Sequence, residues 1–301
     1  MITSKVLLVG NGINRVSNKL AWRHLINALI GKIGATGQIR VENKPFPLLY
    51  EEIYIEAVER GEFDEREIKE FIAERVSGLK KSAIHDEIIK LSFQDILTTN
   101  YDYNLEKVKI QNTSHIKNQG VVSEKRYNLF RNDKVDNTNF WHIHGECNLP
   151  SCIMLGFEHY SGYLQQMRNY VVTGAGSSYK DFEPEALEKR FVEKEIKLYS
   201  WIDFFFKKDI HILGFTFGFE EIHLWWILTY RARMKYGYDK SKKKKTSVEN
   251  RIRYYYPAPE GEKIRNKLEL LRSYNVLPVS VNLDGQNWTQ YYMDALEKIR
   301  K

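Results

Sequence analysis

Ile96-Leu97-Thr98-Thr99-Asn100-Tyr101-Asp102 is the stretch on which the reading of this chain turns. An apolar run stops at the threonines, and an amide and a carboxylate follow two positions apart. In an open parallel sheet, ligands bind just beyond the carboxyl ends of the strands, so short polar groups there face a bound molecule. Two other stretches have the same form. Lys5-Val6-Leu7-Leu8-Val9 runs into Gly10-Asn11-Gly12-Ile13-Asn14, and Phe140-Trp141-His142-Ile143-His144 runs into Gly145. Three polar strand ends in one chain point to a single nucleotide pocket.

The rest of the pattern supplies the sheet. Val6 to Val9 reads as a buried strand, Gly10 to Asn14 as a turn, and Ser17 or Asn18 as the cap of a helix carrying Leu20, Trp22, Leu25, Ile26, Leu29 and Ile30. Pro45 and Pro47 introduce a helical stretch with Leu48, Leu49, Ile53, Tyr54 and Val58, and two more follow near Ile68 to Val76 and Ile84 to Leu91. A long helical pattern runs from Pro184 through Leu187, Phe191, Leu198 and Ile202. Strands at Ile210 to Leu213, Arg251 to Tyr256 and Val276 to Val281 then alternate with helices from Ile222, through Ile264 and Leu268, and from about Thr289. Pro257 and Pro259 are expected to stop the second of these strands. Such alternation requires crossovers, hence a doubly wound, Rossmann-like parallel sheet covered on both faces. The expectation is one domain over residues 1–301, with helical insertions at about 38–92 and 158–205.

Composition narrows the classes. A hydrophobic content of 43% and an aromatic content of 13% supply a substantial core and argue against disorder. The net charge of +7 is partly concentrated in Lys240 and Lys242 to Lys245. Runs of this kind are usually solvated loops, so a nucleic-acid partner is not favoured. Cys147 and Cys152 read as free thiols rather than a disulfide. With His142 and His144 they put four potential ligands within eleven positions, but in none of the usual structural zinc spacings. No run approaches the roughly 20 apolar residues that span a bilayer, and a soluble, cytoplasmic protein is expected.

Each constellation has two readings. Gly10-Asn11-Gly12 lets a backbone approach a phosphate at a helix amino end, or makes a tight strand–helix connection. Asn100 and Asp102 suit ribose hydroxyls, a carboxamide or a held water, or else form an Asx turn. His142 and His144, two apart on a strand, would point to one side of the sheet; either is a satisfied buried ring, and His144, at the strand exit, is equally placed as a general base. Gly214-Phe215-Thr216-Phe217-Gly218, ahead of Glu220-Glu221, suits a phosphate or ribose, or an ordinary helix start. Trp225-Trp226 reads as core, and the remaining histidines as scattered, with no metal set among them.

Taken together and in this order, the Gly10 to Asn14, Thr98 to Asp102, His144-Gly145 and Gly214 to Thr216 elements resemble the sirtuin-like family. They are most similar to its bacterial branch, the NAD hydrolases of anti-phage defence. The resemblance implies that Asn100 holds the attacking water or the nicotinamide ribose, that His144 is the base, and that Asp102 supports the nicotinamide side. It implies Gly10, Asn11 and Gly12 at the pyrophosphate, Gly214 and Thr216 at the adenosine half, and Thr99 and Asn14 among the NAD contacts. Asn14 stands where a serine is commoner. Protein deacylases of the family carry a four-cysteine zinc module, which two cysteines cannot build; that favours water as the nucleophile and no metal. The implied activity is cleavage of NAD, as substrate, to nicotinamide and ADP-ribose during abortive infection, restrained by a protein partner or by self-assembly. A catalytically idle subunit that senses NAD or ADP-ribose, and an ADP-ribosyltransferase, are the other readings.

Overall fold

A computed structural model describes residues 4–16, 22–61, 63–114, 116–175, 179, 181–191, 197–237, 248–259 and 261–301. The Ser17 or Asn18 cap and the lysine run at 240–245 lie outside these. The strands are β1 (Lys5–Val9), β2 (Asp95–Thr98), β3 (Asp133–Val135), β4 (Thr138–His142), β5 (Asp209–Leu213), β6 (Ile252–Ala258) and β7 (Val276–Asn282). They form one sheet in the order β3-β4-β2-β1-β5-β6-β7, parallel throughout except for the β3–β4 pair. The doubly wound α/β architecture expected from the alternation is the one observed.

Both faces of the sheet are covered, which explains why Val6-Leu7-Leu8-Val9 and Asp95-Ile96-Leu97-Thr98 are buried without a break. Side chains alternate across the pleat. Val6, Leu8, Leu97, Ile210 and Ile212 enter one core with helices α5 (Phe157–Arg168), α7 (Trp201–Lys207), α8 (Ile222–Tyr236) and α9 (Glu262–Ser273). Leu7, Val9, Ile96 and Leu213 enter the other with α4 (Ala83–Lys90) and α10 (Trp288–Arg300). A third core belongs to α1 (Trp22–Lys32), α2 (Phe46–Glu59) and α3 (Glu65–Ser77), and it takes in Tyr101, Tyr103, Ile153 and Leu155 from the segments that follow β2 and β4. Helices α1 to α3 are thereby packed on the segments that leave β2 and β4.

Three local readings need correction. β6 continues through Pro257, because β5 pairs with β6 only as far as Tyr254; beyond that point only β7 is a neighbour, and a missing N–H on the open side costs nothing. β4 stops at His142, so the alternation rule no longer governs His144. The pattern begun by Pro184 is not one helix: α6 (Leu187–Arg190) and α7 are separate.

What closes this corner is a buried ion pair. Asp203 is fully buried; it accepts from Arg190 at 3.0 Å and from the Tyr170 hydroxyl at 2.7 Å, and caps the start of α7 through the Tyr199 amide at 2.9 Å. Removing one partner of a buried pair leaves an uncompensated charge. Asp203→Ala is expected to lower unfolding free energy by about 3–5 kcal/mol in urea titrations, with the folded fraction keeping its ligand affinity, since Asp203 is not part of the cleft described next. A loss below about 1 kcal/mol would show the pair to be dispensable.

Candidate active site

The chain order places β2 on one side of β1 and β5 on the other, so the loops leaving β1 and β5 diverge at a topological switch point. Clefts form there in open α/β sheets. In this protein the cleft has a volume of about 350 Å³, near the lower end of small-molecule sites. Its polar floor comes from Asn11, Gly12 and Arg15 after β1, Thr99 to Asp102 after β2, His144 after β4, and Gly214 to Thr216 with Glu220 and Glu221 after β5. Leu25, Phe46, Val76 and Leu79 from the helical block form an apolar roof, and Tyr160 of α5 closes one wall.

Eight of the ten residues expected at a site line this cleft: Asn11, Gly12, Thr99, Asn100, Asp102, His144, Gly214 and Thr216. Gly10 and Asn14 lie just beneath it. The Gly10 amide donates to Leu213 O at 2.9 Å, and the Gly12 amide to Gly214 O at 2.7 Å. A Cβ on Gly12 would sit 2.6 Å from that carbonyl and 2.5 Å from the Tyr292 hydroxyl, so only glycine fits. This corrects one expectation. These two N–H groups hold the β1 and β5 loops together and are not available to a phosphate; Arg15, whose guanidinium sits 5.6 Å over the Trp288 ring, is the cation at that end of the cleft.

The segment after β2 is fixed through its backbone. Thr99 N donates to Val9 O at 3.1 Å, Asn100 N to the Thr98 hydroxyl at 3.0 Å, and Ile143 N to Thr98 O at 2.9 Å. Asp102 is spoken for on both oxygens, accepting from the Asn104 amide at 3.0 Å in an Asx turn and from Asn14 Nδ2 at 2.8 Å. Asn14 also donates to Asn11 Oδ1 at 2.8 Å. Its amide therefore orients two cleft residues. Asn100 differs. Its Oδ1 is buried without a hydrogen-bond partner among the described residues, and Asn100 lines the cleft.

His142 and His144 part company. His142 Nδ1 meets Asn100 O at 2.8 Å and Nε2 meets Glu106 Oε1 at 2.9 Å, so both nitrogens act as donors and the ring is cationic. Burial lowers its pKa, but Glu106, Glu146 and Asp133 outweigh burial and lift it to about 10. Burial is what shifts His144, driving it down to about 3, a neutral ring. Its neighbours come from the start of α8: His223 Nε2 at 3.1 Å and Glu221 Oε2 at 3.3 Å. Burial first, then Glu220, raises Glu221 to about 8; burial, then His144, holds His223 well below the ordinary imidazole range.

His223 was read from sequence as one of the scattered histidines, yet its donor atoms and those of His144 and Glu221 fall within 4.8 Å of one another. Asp133, His142 and Glu146 form a second such group. The separations in both are those of hydrogen bonds and ion pairs among the side chains, with Tyr103 and Arg131 bonded to Glu146. The signal for Glu221 and His223 was present: they follow the glycine turn at the end of β5, next to β1 at the switch point. Cys147 and Cys152 are buried free thiols in neither group.

A family model described as SIR2-like domain matches residues 94–279, more than half of the chain. The chain belongs to the SIR2-like domain family. No curated protein matches it. SIR2-like domains are NAD-dependent enzymes, and the match spans Asn100, His144, Gly214, Glu221 and His223. The Gly10 loop precedes it, so that loop's place in the SIR2-like cleft rests on the geometry alone.

The doubly donating His142 has a consequence for stability. A group whose folded pKa is raised stabilises the protein fully below its unfolded pKa, and that contribution is lost as pH rises through the folded value. Urea unfolding between about pH 6.5 and pH 10 should therefore show wild type losing stability more steeply than His142→Gln. Parallel curves across that window would mean that His142 is neutral in the folded protein.

Proposed function

We propose that this protein is an NAD hydrolase that cleaves the nicotinamide–ribose bond and releases nicotinamide and ADP-ribose. The observation that supports the reading best is the pairing, in one SIR2-like cleft, of an unpartnered buried Asn100 amide oxygen with a neutral His144. In the reaction, the bond between ribose C1′ and the nicotinamide nitrogen breaks, and its electron pair neutralises the pyridinium. Water adds to C1′ and gives up a proton. Because the leaving group departs as a neutral molecule, little acid catalysis is needed. Placing the water and stabilising the cationic ribose are the main tasks.

In this reading Asn100 holds the water or the ribose hydroxyls, His144 receives the proton, and Asp102, fixed by Asn14 and the Asn104 amide, carries the negative charge facing the cation. Arg15 and Asn11 meet the pyrophosphate, and Gly214 with Thr216 the adenosine half. With Cys147 and Cys152 its only cysteines, the chain has no four-cysteine module to present an acyl-lysine peptide, which supports water as the acceptor. We further propose that residues 1–301 act as one catalytic unit, an NAD-depleting effector of a bacterial anti-phage system that a partner protein or self-assembly holds in check.

Incubation of the purified protein with NAD, alone and with the products of neighbouring genes, separates the readings. Free nicotinamide with ADP-ribose supports hydrolysis; labelled macromolecule indicates a transferase; binding without turnover indicates a sensing subunit. The isolated chain is expected to consume little NAD at modest concentration and to become active on assembly, and full turnover by a partner-free monomer would contradict that restraint. Asn100→Ala and His144→Ala should each lower kcat by about 10²–10⁴-fold with melting temperature retained. The double variant should be scarcely worse than either single one, because parts of one catalytic unit are not additive. Near-native hydrolysis by a folded single variant would show the site to be misassigned.

A further inference from the structure

The imidazole of His144 has two nitrogens, and the fold commits one of them. Nε2 lies 3.1 Å from His223 Nε2 and 3.3 Å from Glu221 Oε2, while His223 Nδ1 lies 3.9 Å from the same carboxylate oxygen. No hydrogen bond to Nδ1 of His144 is formed among the described residues, and His144 lines the cleft. Two Nε2 atoms at 3.1 Å share a single hydrogen, and the surroundings decide which ring carries it.

Suppose that His223 were the donor. Its Nδ1 would then be a bare lone pair beside the Glu221 carboxylate, and His144 Nε2, accepting that hydrogen, would have none to offer Glu221 Oε2 at 3.3 Å. With His144 as donor, its Nε2–H points at His223 Nε2 with the carboxylate alongside, and His223 Nδ1–H turns towards Glu221. The lone pair of His223 Nε2 then meets a hydrogen, and the ionised carboxylate has N–H groups rather than lone pairs beside it. Glu221 Oε2, without a hydrogen-bond partner among the described residues, then has the His144 Nε2–H at 3.3 Å and His223 Nδ1 at 3.9 Å.

We propose that His223 and Glu221 are positioning residues that hold His144 as the Nε2–H tautomer and leave its Nδ1 lone pair bare to the ligand in the cleft. Its catalytic meaning rests on the NAD-hydrolase reading. There, the proton lost by water as the C1′–O bond forms moves to His144 Nδ1, and the ionised Glu221 beside Nε2 stabilises the resulting imidazolium. Third-residue orientation of an imidazole base is a general device, and a base in the wrong tautomer loses up to about 10⁴-fold in kcat.

The arrangement is also a proton switch. With Glu221 protonated, its hydroxyl donates to His144 Nε2 and the bare nitrogen is turned away from the ligand. The active tautomer therefore accumulates as pH rises through the Glu221 titration near 8. The other titratable groups facing the trio are Tyr160 and Tyr163 of α5, Tyr101 after β2 with Cys152 behind it, and Glu220 beside Glu221. Burial raises the three tyrosines well above their ordinary range, so they stay neutral across this window.

Nitrogen NMR of protein labelled with ¹⁵N-histidine reads the tautomer directly, with the His144 signals assigned by their loss in His144→Gln. The expected result is a protonated Nε2 and a bare Nδ1 at pH 9, reversing towards pH 6.5, with the reversal absent in Glu221→Gln. An Nδ1–H tautomer at pH 9 in the wild-type protein, or an unchanged titration in Glu221→Gln, would overturn the proposal. So would a stoichiometric transition metal in the purified protein whose removal shifts these signals. In the NAD assay, His223→Phe should lose kcat at least tenfold with KM unchanged, and His223→Asn, which restores an acceptor, should recover part of it. If the wild-type protein turns over no NAD under any assembly condition, the hydrolase reading fails, and the NMR result still decides the tautomer.

Discussion

One backbone hydrogen bond, from the Gly12 amide to the Gly214 carbonyl at 2.7 Å, sets the position of everything else in the cleft. It joins the exits of β1 and β5 at the point where the sheet reverses its direction of growth. A side chain at position 12 would strike the Gly214 carbonyl and the Tyr292 hydroxyl, so the approach is available only to glycine. The Thr99 amide then ties the β2 exit to Val9, and the Ile143 amide ties the β4 exit to Thr98. Four strand ends are thus held in register by main-chain contacts, and the polar side chains on them are left to face the cleft.

Within that frame, burial and pairing compete, and the winner differs over a distance of two residues. His142 is buried among Glu106, Glu146 and Asp133, and their attraction exceeds the cost of desolvating a cation. His144 is buried against His223 and the face of Tyr160, with a Glu221 that is itself raised by burial, so desolvation wins and the ring is neutral. The cationic histidine grips the Asn100 carbonyl and holds the loop that follows β2; the neutral one is left with a lone pair to offer. Structural and chemical roles are separated by local dielectric and charge rather than by residue type.

The helical block gives the cleft its apolar side. Its own core takes in Tyr101 and Tyr103, and the Tyr101 hydroxyl is anchored to Met154 O at 2.6 Å, so roof and floor are packed as one piece. Leu25, Phe46, Val76 and Leu79 thus face an amide, a carboxylate and an imidazole across one cleft. That suits cleavage of a nicotinamide–ribose bond by one positioned water.

The alternation of apolar runs with helical periods determined the sheet and its covering, because strands buried on both faces must be continuously apolar and parallel neighbours require crossovers. That Asn100 and His144 would line one cleft was equally legible, since both directly follow apolar strands. Three things were decided only in three dimensions. Pro257 could stay in β6 because its far side has no neighbour beyond Tyr254, a matter of strand register. Gly10 and Gly12 proved to hold loops together, because an amide that would suit a phosphate is bonded to a carbonyl more than two hundred residues away. Glu221 and His223 joined His144 because the segments after β4 and β5 meet at the same end of the sheet, whereas along the chain 79 residues separate the two imidazoles. A sequence specifies which groups sit at strand ends; strand order decides which of those ends meet.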